Sequence, residues 1–105
     1  MLDVGWPVDA RGDRGQTPLH WAGFHGNVEM VRALLRHNAP LEVQEWQFKG
    51  TPLGWGLYGS EHGWYRETGD YPGTVRALLT AGAKAPEDIG AVDAAEEVLA
   101  VLRKS

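Results

Sequence analysis

An all-α solenoid of stacked helix–turn–helix units, joined by extended, hairpin-like fingers, is the fold class this sequence predicts. Three observations predict it. First, Thr17-Pro18-Leu19-His20-Trp21-Ala22 recurs as Thr51-Pro52-Leu53-Gly54-Trp55-Gly56, a spacing of 51 − 17 = 34. Second, Val31-Arg32-Ala33-Leu34-Leu35 recurs unchanged as Val75-Arg76-Ala77-Leu78-Leu79, a spacing of 75 − 31 = 44. Third, the apolar residues Val28, Val31, Leu34 and Leu35 fall at helical intervals and give one apolar face. A unit of this kind cannot bury its own flanks, so neighbouring units must stack on it. The two spacings differ by ten residues (44 − 34 = 10), which places an insertion between the blocks of the second copy.

The elements follow in order. Thr17 can cap the free amides of a helix start, and Pro18 suits the first turn, where a missing N–H is harmless. The helix is expected to run to about Phe24 and to break at His25-Gly26-Asn27. A second helix is expected over Val28 to His37, ended by Asn38, a residue that tolerates the left-handed conformation. Ala39 to Val43 reads as extended, because Pro40 pushes its predecessor out of helical geometry. The second copy repeats the pattern, interrupted by Gly59 to Asp70. A last helix at about Asp93 to Lys104 carries Val98, Leu99, Val101 and Leu102 on one side. Glu96 and Glu97 suit its first turn, and Arg103 and Lys104 its last.

The run Gly15-Gln16-Thr17-Pro18-Leu19-His20-Trp21-Ala22, followed by Gly26-Asn27-Val28-Glu29-Met30-Val31-Arg32-Ala33-Leu34-Leu35, resembles the ankyrin repeat nearly throughout. Met1-Leu2-Asp3-Val4-Gly5-Trp6-Pro7-Val8-Asp9-Ala10 is similar to the end of such a repeat. The resemblance implies an ankyrin-repeat solenoid whose opening is either a degenerate first repeat or the sign of a fragment or C-terminal part of a longer array. It divides a single domain, 1–105, into a partial repeat at 1–12, a repeat at 13–45, a repeat at 46–84 with an inserted loop at 59–70, and capping helices at 85–105. Two departures stand out. Gly54 replaces the histidine of the second copy, and residues 86–105 lack the Thr-Pro-Leu-His block.

The composition narrows the function. With 43% apolar and 23% charged residues the chain is expected to fold, and a net charge of −4 argues against nucleic acid or an anionic membrane as the main partner. No apolar run approaches the roughly 20 residues of a membrane span. Asp3 and Asp9 lie where a secretory signal would need basic and then apolar residues, so a cytoplasmic location is expected. Zero cysteines remove disulfides, thiolate metal sites and a cysteine nucleophile. The chain has no nucleophile elbow, no phosphate-cradling loop and no zinc-binding His-Glu-x-x-His, so no catalytic residue, cofactor or metal ligand is assigned. His62, with Glu61, Glu67 and Asp70 near it in sequence, is the alternative: a metal-dependent or acid–base loop, weighed against a solvated one.

Five tryptophans in 105 residues are the stronger anomaly. Trp21 and Trp55 occupy the same slot of the two first helices and are expected to pack in the core between repeats. Trp46 and Phe48 stand beside Gln47 and Lys49 in the finger between repeats, and Trp64 and Tyr65 in the insertion. Large aromatics bury much area at little rotamer entropy and serve as binding anchors. The resemblance implies a protein partner held by finger tips and the concave face of the first helices. Matched onto this sequence, that surface comprises Asp13, Arg14, Gln16, Phe24, His25, Trp46, Gln47, Phe48 and Tyr58, with Trp64 and Tyr65 of the insertion added as candidate anchors. A structural or oligomerisation segment of a larger array, including self-association, is the competing reading.

Overall fold

The computed structural model describes residues 11–63, 67–86, 92 and 94–104. Among these the chain forms five helices and no strand: α1 (Pro18–His25), α2 (Val28–Arg36), α3 (Pro52–His62), α4 (Tyr71–Thr80) and α5 (Glu96–Lys104). Trp6 with the partial repeat around it, Trp64, Tyr65 and the helix start at Asp93 lie outside the described residues.

Thr17 caps α1 as expected, and it does so reciprocally. Its hydroxyl accepts from His20 N, while Thr17 N donates to His20 Nδ1 at 3.0 Å. Thr51 caps α3 through Gly54 N at 3.1 Å, but glycine offers no side chain in return, so only half of this cap is rebuilt. Asn27 and Asp70 cap α2 and α4 by accepting from Met30 N at 3.1 Å and Gly73 N at 2.9 Å. The two outer helices also end alike. Asn38 at φ 62° and Gly82 at φ 111° are 82 − 38 = 44 residues apart. Each turn is closed by the next amide, from Ala39 N to Leu34 O and from Ala83 N to Leu78 O.

The helix pairs stack in two layers, α1 against α3 and α2 against α4. Leu19, Val31 and Leu34 and their repeat partners Leu53, Val75 and Leu78 are buried in one shared core, with Leu35 and Leu79 packed half-buried against it. α5 adds Val98, Val101 and Leu102 and packs on α4. Its start is tied to α3, since Ala95 N donates to Ser60 Oγ at 3.0 Å.

Two expectations change. The insertion does not begin as a loop: Gly59, Ser60, Glu61 and His62 form the last turn of α3, because nothing in that stretch breaks the helix before Gly63. The chain returns at Gly69 and Asp70 against the end of α1, with Asp70 N donating to Gly26 O at 2.8 Å and Tyr71 Oη to Phe24 O at 2.7 Å. In addition, Trp21 is not a core residue, being 38% exposed, and Trp55 is only half-buried.

Candidate functional site

Small residues decide which face of α1 and α3 points outward. Gly23 lies so close to the next repeat that an added Cβ would fall 2.8 Å from Pro52 O, and a Cβ on Gly59 would run into the Phe24 carbonyl. The backbones that meet are therefore those of Gly23 and Phe24 with Pro52, Gly56 and Gly59, and the bulky side chains occupy the remaining face.

That face is a continuous aromatic stripe. Trp21 meets Trp55 edge to face at 5.2 Å between centroids, Phe24 meets Trp55 at 6.0 Å, and Phe24 stacks on Tyr58 at 6.5 Å. His25 lies 5.9 Å from Trp21 and His62 lies 4.9 Å from Tyr58, extending the stripe at both helix ends. Such geometries favour aromatic pairs beyond simple area burial. Tyr58 nevertheless stays 55% exposed, so the stripe keeps a large face open to solvent.

The fingers are held by a buried carboxylate. Glu45 is 1% exposed and accepts from Gln47 N at 2.7 Å, Phe48 N at 2.9 Å and Gly50 N at 2.9 Å. Burial draws its pKa upward, but those amides, with the Trp55 indole N–H donating as well, outweigh it and hold the group below the ordinary carboxylate value. Gly50 O in turn accepts from His20 Nε2 at 2.7 Å. Because His20 Nδ1 accepts from Thr17 N, the ring is the neutral Nε2–H tautomer. The Thr-Pro-Leu-His block thus ties the start of one inner helix to the finger that precedes the next.

Acid should loosen this tie in two stages. Burial lowers the His20 pKa from 6.5, against the opposing pull of the Gly50 carbonyl and the Glu45 charge. Since the folded state then binds its proton less readily than the unfolded chain, the stability is whole above about pH 6.5 and declines as pH falls towards the folded value. Glu45 adds a second loss, beginning near its unfolded value of 4.5 and continuing as pH falls through its depressed folded pKa. Urea midpoints measured across this range should show the first decline in the parent chain and a much flatter profile in His20→Gln.

Neighbouring fingers are laced side by side. Arg11 donates from Nη2 to Gln44 O at 2.6 Å, Trp46 N donates to Arg14 O at 2.6 Å, and Lys84 N donates to Glu42 Oε2 at 2.8 Å. The Arg11 guanidinium lies over the Trp46 ring at 5.3 Å, a favourable cation–π distance. The same ring also covers Gly15, which at φ +82° and with an added Cβ 2.7 Å from the indole accommodates glycine alone. Trp46 is still 59% exposed and Phe48 73% exposed.

The structure brings Phe24, His25 and Tyr58 together on the stripe, and Arg14 and Trp46 together on adjacent fingers. Asp13, Gln47 and Phe48 are exposed at finger tips. Gln16 is half-buried, its Oε1 accepting from Arg14 N at 2.9 Å, so it braces its finger. Trp21 and Trp55, absent from the expected set, are central to the surface: Trp55 contacts Gly50 of the finger on one side and Trp21 on the other. The 34-residue recurrence of Trp21 and Trp55, with Phe24 and Tyr58 also 34 apart, was the signal that could have found them. Around His62, Asp70 is engaged as the cap of α4, and among the described residues no three His, Cys, Asp or Glu side chains gather as a metal site. No helix among them is long and apolar enough to cross a membrane.

Stacked helix pairs with laced fingers and one shared core define a helical-repeat solenoid. Residues 14–46 match the family model of the ankyrin repeat. It is similar to acyl-CoA-binding domain-containing protein 1 of Arabidopsis thaliana, with 45% identity over 38 residues, 36% of this chain and 11% of that protein. It is similar also to Inversin-B of Xenopus laevis, with 38% identity over 48 residues, 46% of this chain and 5% of that protein. Acyl-CoA-binding domain-containing protein 2 of Arabidopsis thaliana shares 42% identity over 38 residues, 36% of this chain and 11% of that protein. The chain therefore spans a small fraction of each relative's length. Ankyrin repeats are in general protein-interaction modules and generally not catalytic.

Proposed function

We propose that this chain is a non-catalytic docking module that holds a protein partner on the inner-helix stripe and the finger tips. The observation that carries this reading is the solvent-open run of touching rings, Trp21, Trp55, Phe24 and Tyr58, continued onto the finger at Gly50. Rigid aromatics already packed on one another lose little entropy when a partner covers them, and such residues dominate binding energy at interfaces. The finger aromatics Trp46 and Phe48 extend the same surface, and the partner is expected to contact Arg14 and Asp13 at its rim.

Proteins retained from a host lysate by the immobilised chain test the reading when the Phe48→Ala/Tyr58→Ala variant is run beside it. Both side chains are largely exposed, so the variant should melt within a few degrees of the parent. A specific partner should weaken by tenfold or more, about 1.4 kcal/mol or greater, as expected for loss of interface anchors. Equal retention of every protein by the two chains would remove the stripe from the interface.

A further inference from the structure

The outer layer carries a second surface that the aromatic stripe does not use. Between α2 and α4 runs an open groove of about 480 Å³, floored by Leu35 and Ala77 and bordered by Arg32, Arg36 and Arg76. Arg32 and Arg76 occupy the same slot of the two repeats, 76 − 32 = 44 residues apart, and Arg36 lies one helical turn beyond Arg32. The slot matching Arg36 in the second repeat holds Thr80, a neutral hydrogen-bonding group in the same groove. All three guanidinium side chains belong to exposed residues. Among the described residues no carboxylate lies within ion-pair distance of any of them, whereas Arg103 is paired with Glu96 at 3.0 Å and Arg11 is spent on finger carbonyls.

Three of the ten basic residues of a chain with net charge −4 are thus gathered, unpaired with these acids, around an apolar floor. Arginine is weakly hydrated and presents a planar fork of donors that matches a carboxylate in bidentate fashion. The apolar floor asks for a side chain beside the anions, which a bare small anion lacks. The negative charge of the whole chain opposes a long polyanion such as nucleic acid. We propose that the α2–α4 groove is a second docking surface that takes an acidic peptide segment of a partner protein. Its carboxylates engage Arg32, Arg36 and Arg76, and one apolar side chain rests on Leu35 and Ala77.

The probe is a dye-labelled peptide of repeated Glu-Glu-Leu triplets, its binding to the full chain followed by fluorescence polarisation at low salt. Arg32→Glu/Arg36→Glu/Arg76→Glu is expected to weaken binding by tenfold or more. A charge-matched control, Lys84→Glu/Arg103→Glu/Lys104→Glu, is expected to retain most of it. Equal losses in the two triple variants, or none in the first, would overturn the assignment, as would displacement of the probe by inorganic phosphate at the peptide's own Kd. Should the first triple variant lose its helical circular-dichroism signal, Arg76→Ala decides instead, with a threefold or larger loss supporting the site and unchanged affinity rejecting it. Trp21→Ala/Tyr58→Ala separates the two surfaces, since it should bind the acidic probe as tightly as the parent.

Discussion

Glu45→Ala is expected to lower the stability of the chain by about 3 kcal/mol, with a fall in Tm of roughly 15 °C. The side chain is buried and gathers the amides of Gln47, Phe48 and Gly50 around one carboxylate. Alanine leaves these donors without their acceptor, and each such group costs about 1–3 kcal/mol where water cannot replace it. Glu45→Gln should lose about half as much, because it keeps one acceptor oxygen and turns the other into a donor facing donors. The finger would loosen together with Phe48, so partner binding should fall with stability in both variants. A melt of Glu45→Ala within about 2 °C of the parent would mean the carboxylate does not organise the finger.

The second large effect contrasts two glycines of one helix. Gly59→Ala is expected to destabilise by about 2–3 kcal/mol, because its methyl group would meet the backbone carbonyl of Phe24, which has nowhere to retreat in a packed pair of helices. Gly54→Ala should do the reverse. Its nearest neighbour would be Thr51 Oγ1 at 3.5 Å, an ordinary contact. The substitution also removes unfolded-state entropy, for a gain of about 0.5–1 kcal/mol. Denaturant midpoints of the two variants should therefore move in opposite directions. A shift of the same sign and size would show that α1 and α3 do not approach closely at Gly59.

Much of the fold was legible because its signals are local. Thr17 and Thr51 before prolines mark helix starts whatever surrounds them, and Asn38 marks a left-handed helix end. The leucines and valines of the recurring blocks identify the core by period alone. The site was less legible, for physical reasons that particular residues expose. Trp21 and Trp55 share a slot and a chemistry suited to burial, yet Gly23, Gly56 and Gly59 let the helices meet on another flank and turn the rings outward. Glu45 stands among polar finger residues, where a carboxylate reads as solvated; only the three-dimensional turn directs three amides onto it. His62 was readable as a candidate ligand from its acidic neighbours, but Asp70 is committed to capping α4.

The aromatic surface exists only because α1 and α3 lie flank to flank and bring their rings together. Nuclear Overhauser contacts between the ring protons of Trp21 and Trp55, and between those of Phe24 and Tyr58, measure this directly. Ring centroids 5.2 Å and 6.5 Å apart predict cross-peaks for both pairs. Strong contacts within each helix, with no cross-peak between rings of different helices, would contradict the stacked arrangement and the binding surface built on it.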